Sequence, residues 1–167
     1  MDIPDEIGQM FAQRVSNPLA WFAHSRSLIA AARATTERAS ILIDVWDRSD
    51  LLNVAAMLYG FALENLFKAK YVLQNFGSPH DEGWCPEPTF PSELKSHDLV
   101  KLARLAQVKL DAEYELSLAI LSDVTMWSGR YPCSLKGDEG TIARFPLANK
   151  HAEELFKKYS RPFTSVS

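Results

Sequence analysis

A chain of 167 residues can bury one core without disulfide or metal staples, and it suits a single domain over residues 1–167. An apolar fraction of 47% beside 23% charged residues excludes a disordered or fibrous protein. The net charge of −3 sets up no global field toward nucleic acid or a membrane surface, and the 2 cysteines, Cys85 and Cys133, make neither a disulfide framework nor a zinc site.

The opening decapeptide MDIPDEIGQM is acidic and lacks the basic and apolar regions of a secretion signal. No apolar run approaches the roughly 20 residues that span a bilayer. The expectation is a cytoplasmic protein with free thiols, no membrane association, and no metal or cofactor.

No segment alternates with a period of two, so the chain reads as all-α. The first helical stretch opens after Asn17 at Pro18, whose missing N–H costs nothing there. Trp21, Ser25, Leu28, Ile29, Ala32, Ala39, Leu42, Ile43 and Trp46 recur at helical spacing. Arg26, Arg33 and Arg38 fall off that stripe, and Thr35-Thr36 loosens its middle.

A second long helix is predicted from a Ser49 or Asp50 cap to Gly77. Its stripe of Leu52, Ala55, Ala56, Tyr59, Ala62, Leu63, Leu66, Ala69 and Leu73 is the best in the chain. Glu64 and Lys68 stand at i,i+4 and are expected to form a surface or interface ion pair. Residues 77–96 carry Pro79, Pro86, Pro88 and Pro91, which forbid a regular helix. They form a long loop, pinned to the body by Trp84 and Phe90.

Ser96 is predicted to cap the next helix, with Leu99, Leu102, Ala103, Ala106 and Leu110 inward and Lys101, Arg104 and Lys109 outward. Asp111 caps another, apolar around much of its circumference (Tyr114, Leu116, Leu118, Ile120, Leu121, Val124, Met126, Trp127), which places it centrally or against a partner chain. It stops at Gly129, where Arg130 is a cation beside the negative helix end, Tyr131 packs back and Pro132 cannot continue. After Gly137 and Gly140, Pro146 opens a last helix with Leu147, His151, Leu155, Phe156 and Tyr159 inward, Lys150, Lys157 and Lys158 outward, and a flexible tail over 161–167. The sum is an up-and-down bundle of about five helices.

Three stretches then stand out together: ALENLFKA at 62–69, KSHDLVKLA at 95–103, and GRYP at 129–132. In this order and spacing they resemble the HEPN superfamily of helical bundles, over roughly residues 18–160. The resemblance implies an up-and-down bundle that pairs as a homodimer. It implies a setting in toxin–antitoxin, anti-phage or RNA-processing systems, with RNA or nucleotide and a nucleotidyltransferase or other protein as partners. Some members are metal-independent ribonucleases and others are binding or assembly modules.

Ribonuclease members carry an Arg and a His with four to six residues between them, and a polar residue directly after the Arg. Arg144 and His151 have this spacing, and the chemistry is apt: His moves a proton near neutral pH while Arg steadies the charge on a phosphorane. Phe145 stands where the family has a polar residue, and Pro146 follows it. His97 and Asp98 are neighbours that cannot face each other as an acid–base dyad; Asp98 suits the positive end of a helix, with His97 beside the cap. His24 and His80 have no recognisable partners.

No Gly-rich phosphate loop, nucleophile elbow, His-Glu-x-x-His or Cys-x-x-Cys is present. The expectation is a dimeric binding or assembly module. Arg130, Tyr131, His97, Asp98, Glu64 and Lys68 are its candidate binding or interface residues, and a ribonuclease using Arg144 and His151 is the alternative.

Overall fold

The computed structural model describes residues 3–128 and 145–164, and these form an all-helical bundle with no strand among them. Seven α-helices are present there rather than about five. The first, α1 (Ile3–Ser16), is not anticipated by the apolar pattern. Among its described side chains it buries Ala12, Val15 and Ser16, while Ile7, Met10 and Phe11 stay exposed.

Helix α2 (Pro18–Ser40) starts where Pro18 suggests, with Asn17 Oδ1 accepting the Leu19 N–H at 2.9 Å. The hydroxyls of Thr35 and Thr36 donate to the carbonyls of Ala31 and Ala32, so the helix passes through them unbroken. The break comes later. Residues 41–44 link α2 to α3 (Val45–Phe76), and Asp44, not Ser49 or Asp50, is the cap, its carboxylate accepting from the Trp46 and Asp47 N–H groups. The apolar stripe expected to continue through Ile43 and Trp46 therefore turns outward, leaving them 93% and 80% exposed.

The two helices pack antiparallel, and the Ser25 hydroxyl donates to the Ala62 carbonyl across their seam. Helix α3 is the axis of the fold. Its Leu63, Leu66 and Phe67 are fully buried, and each such side chain contributes roughly 1.5–3 kcal/mol. It ends at Gly77, whose φ of 75° suits a residue without a Cβ.

The following loop is a crossover rather than a short turn. Its Glu87 N–H reaches Ser16 Oγ at 2.6 Å and Phe90 meets Trp21 edge-on at 6.0 Å, so the chain returns to the start of α2. A single 3-10 turn (Ser92–Lys95) precedes α4 (Leu99–Leu105). Asp98, not Ser96, caps α4 by accepting from the Lys101 N–H, while Ser96 Oγ accepts from the Asp98 N–H. Because Glu64 meets His97 just before α4 and Gln74 meets Ala106 just after it, α4 runs in the same direction as α3. The expected alternation of direction fails at this connection, since a loop this long lets the chain come back before the next helix begins.

Helix α4 stops at Gln107, which adopts φ 54°, and the Val108 N–H closes on the Ala103 carbonyl at 2.8 Å. Asp111 caps α5 (Ala112–Asp123) as expected, accepting from Glu113 and Tyr114, and α5 runs into a π turn (Val124–Ser128). Gly60 of α3 sits against Thr125 and Leu121 there, with no room for a Cβ. Helix α6 (Phe145–Tyr159) begins at Phe145 and buries Phe145, Ala148, His151, Ala152, Leu155 and Phe156, whereas Leu147, expected inside, is 50% exposed. Residues 161–164, expected as part of a flexible tail, form a last helical turn, α7 (Arg161–Thr164), held by Phe163 stacked on Phe22 at 4.8 Å.

Candidate functional site

The i,i+4 pair on α3 is not at the surface. Glu64 and Lys68 are 6% and 5% exposed, with Nζ 2.6 Å from Oε1. The expectation of a surface or interface pair fails because these positions point at α2 and at the end of the crossover loop. Lys68 lies 5.7 Å from the Trp21 ring centroid, and His97 Nδ1 stands 3.1 Å from both Glu64 oxygens. The His97 side chain is 58% exposed, so it is the face this buried ion pair presents to solvent. Asp98 turns away to its capping role. His97 and Asp98 thus serve different partners and form no dyad.

Trp21 also lines a cavity of 620 Å³ that opens between α1, α2, α3 and the crossover loop. Phe11 and Phe90 supply its other aromatic walls, Arg14 and His24 stand on it, and Asn65 enters from α3. The indole is held in place, its Nε1–H donating to the Val15 carbonyl at 3.0 Å. A volume of this size falls in the range of small-molecule sites. The apolar periodicity registers Trp21 only as a core position. Phe90 is legible only as a loop anchor, and the cavity itself leaves no local trace.

His151 is buried on α6, its Nδ1 2.8 Å from Ser117 Oγ and its ring 4.8 Å from that of Tyr114. The Tyr114 hydroxyl donates to Glu154. Arg144, its proposed catalytic partner, lies outside the described residues, as do Arg130 and Tyr131. Nearby, Glu153 accepts two bonds from Arg33, at 2.8 and 2.7 Å, and one from the Tyr59 hydroxyl at 2.9 Å. Burial disfavours the Glu153 carboxylate, yet the bonds from Arg33 and Tyr59 outweigh it and hold its pKa below the usual range. Burial, and then the bond to Glu153, push Tyr59 up to about 12. This three-residue network joins α2, α3 and α6, and nothing in the local sequence announces it.

Among the described residues, no group of three or more His, Cys, Asp or Glu side chains is placed to hold a metal ion, and no helix is long and apolar enough to cross a membrane. Cys85 is a free, exposed thiol. Comparison with family models, with curated proteins and with solved structures finds no match to this chain. The likeness to HEPN bundles accordingly rests on the three motifs quoted above.

Proposed function

We propose that the chain is a non-catalytic, HEPN-like binding module that works as a homodimer. The observation that carries this reading is the corner between α2 and α3. Ile41, Ile43, Val45 and Trp46 are 65%, 93%, 69% and 80% exposed in succession. The corner is also tied by hydrogen bonds: Asp44 caps α3, and the Arg48 guanidinium folds back onto the Leu42 carbonyl. A fixed apolar projection with an aromatic at its centre has the make-up of an interface hot spot, because little side-chain or backbone freedom is lost on docking. Val54, two turns along α3 from Trp46, is also exposed and extends the patch.

The middle of α3 is already covered by α2, α4, α5 and α6 of the same chain. A second copy is therefore left the first turns of α3 rather than its centre. The groups with acid–base chemistry support binding over catalysis, because they are engaged internally: His151 with Ser117, and Glu64 with Lys68 and His97. Association with RNA or nucleotide, a nucleotidyltransferase partner and a defence or toxin–antitoxin setting belong to the same proposal and rest on the resemblance.

Light scattering tests the dimer. Twice the chain mass is expected for the wild type, and a monomer of unchanged helix content for Ile43→Asp or Trp46→Ser. A wild type that stays monomeric at high concentration overturns the proposal. Incubation with RNA in the absence of metal tests the non-catalytic part. Wild type and His151→Ala should give the same background, and cleavage by wild type that His151→Ala abolishes would show a ribonuclease instead.

A further inference from the structure

The cavity beside Trp21 has a chemistry of its own, and it lies at the end of the α2–α3 pair away from the exposed corner. Its walls are aromatic. Trp21 is fixed by the Nε1–H bond to Val15 and by the edge contact with Phe90, so its indole N–H is spent and the ring offers only apolar surface. Phe11 stands 46% exposed at the cavity although it is a large apolar side chain. Such a constellation favours a flat ring, which gains dispersion and stacking against aromatic faces.

The polar groups add direction. Arg14 and His24 both line the cavity and are exposed, and neither has an ion-pair or hydrogen-bond partner among the described residues. Among the described residues, no carboxylate lines it. Asn65 spends its Nδ2 on the Phe61 carbonyl, which leaves its Oδ1 as an acceptor for a ring N–H or amino group. An apolar chain would make no use of a guanidinium, an imidazole and an amide oxygen. A neutral aromatic would use the walls and leave Arg14 idle.

The geometry points to a binding site for a small aromatic anion: a flat heterocycle with an N–H or amino group, carrying a carboxylate or a phosphate. The ring lies against Trp21 and Phe90 with Phe11 closing over it. Its N–H faces Asn65, and its anionic group reaches Arg14, with the His24 imidazole beside it as a further hydrogen-bonding group. The site is formed within one chain, so its occupancy does not depend on dimerisation.

Isothermal titration calorimetry on the full chain tests this with two probes that separate the possible sources of the anion. Indole-3-acetate supplies a carboxylate and adenosine monophosphate a phosphate. Indole and adenosine are the neutral counterparts, and inorganic phosphate is the anion without a ring. Saturable one-to-one binding is expected for at least one anionic probe, and the one that binds names the class. Its neutral counterpart should bind about fivefold more weakly or worse, and Arg14→Gln should weaken the anionic probe by a similar factor, the size of one partly exposed charge contact. Arg14 is exposed, so this substitution leaves the core intact. Failure of both anionic probes to saturate overturns the inference. So does equal affinity for the neutral counterpart, tighter binding of phosphate alone, or an Arg14→Gln protein that binds as the wild type does.

Discussion

Breaking the buried ion pair on α3 should cost far more than its distance from any exposed surface patch suggests. Consider Lys68→Met, which keeps the length and apolar stem of the side chain and removes its charge. In the intact protein the charges stand 2.6 Å apart, which at an effective dielectric near 20 corresponds to an attraction of roughly 6 kcal/mol. Desolvating both groups costs several kcal/mol each, so the pair as a whole adds little net stability. Removing one member is different: Glu64 would remain 6% exposed with His97 as its remaining partner among the described residues. Orphaning a buried charge typically costs about 3–5 kcal/mol, and the His97 contact places the expectation near the lower figure, ~3 kcal/mol. For a chain of this size that lowers Tm by roughly 6–12 °C. Glu64→Leu alone should cost a similar amount by stranding the ammonium. The double variant Glu64→Leu/Lys68→Met should come within about 1 kcal/mol of wild type, because it removes both desolvation costs along with the attraction. Urea unfolding followed by far-UV circular dichroism closes the cycle. Single variants that each cost under ~1 kcal/mol and simply add in the double would refute the account.

Three further outcomes can be measured. A Cβ at Gly60 would come within 2.3 Å of Thr125 Cγ2 and 3.1 Å of the Leu121 carbonyl oxygen. Gly60→Ala should therefore destabilise by about 1 kcal/mol net, overpacking of ~2 kcal/mol outweighing the ~1 kcal/mol helix preference for alanine; a raised Tm would show that the α3–α5 contact can open. Gln107 holds φ 54° at the end of α4, so Gln107→Gly should stabilise by up to ~1 kcal/mol, and a loss would place the strain elsewhere. The third concerns pH. Glu153 is held below its ordinary pKa, so the stability it contributes is present above the unfolded carboxylate pKa and fades as pH falls through the folded one. Tyr59, raised to about 12, contributes stability that is complete below the unfolded tyrosine pKa of about 10 and is lost as pH rises through the folded value. Glu153→Gln should flatten the acid limb, and one tyrosine should ionise near 12 in an absorbance titration that Tyr59→Phe depletes; an acid limb unchanged in Glu153→Gln would refute the assignment.

Much of the fold was legible because its signals are local. Pro18 opens α2, Asp111 caps α5 and Gly77 ends α3 at the places the sequence marks, each through groups within a few residues of one another. The misplaced boundaries share a cause. Asp44 and Ser49 are both good caps, and so are Asp98 and Ser96, and only the path of the preceding chain selects between them. The helical stripe that ran on through Ile43 and Trp46 was equally compatible with a continuing helix or with a projecting corner.

The sequence by itself determined the all-α class, the main helices and the long proline loop, since backbone sterics and capping act over a turn or two of chain. Only the tertiary structure decided the direction of that loop, the burial of Glu64 and Lys68, and the joining of Arg33, Tyr59 and Glu153. It likewise decided that Trp21, Phe90 and Phe11 enclose a cavity. Each depends on contacts between groups far apart in the chain, 33 residues for His97 with Glu64 and 120 for Arg33 with Glu153. A side chain at that separation carries no local mark of its partner, because the contact exists only once the intervening helices have packed.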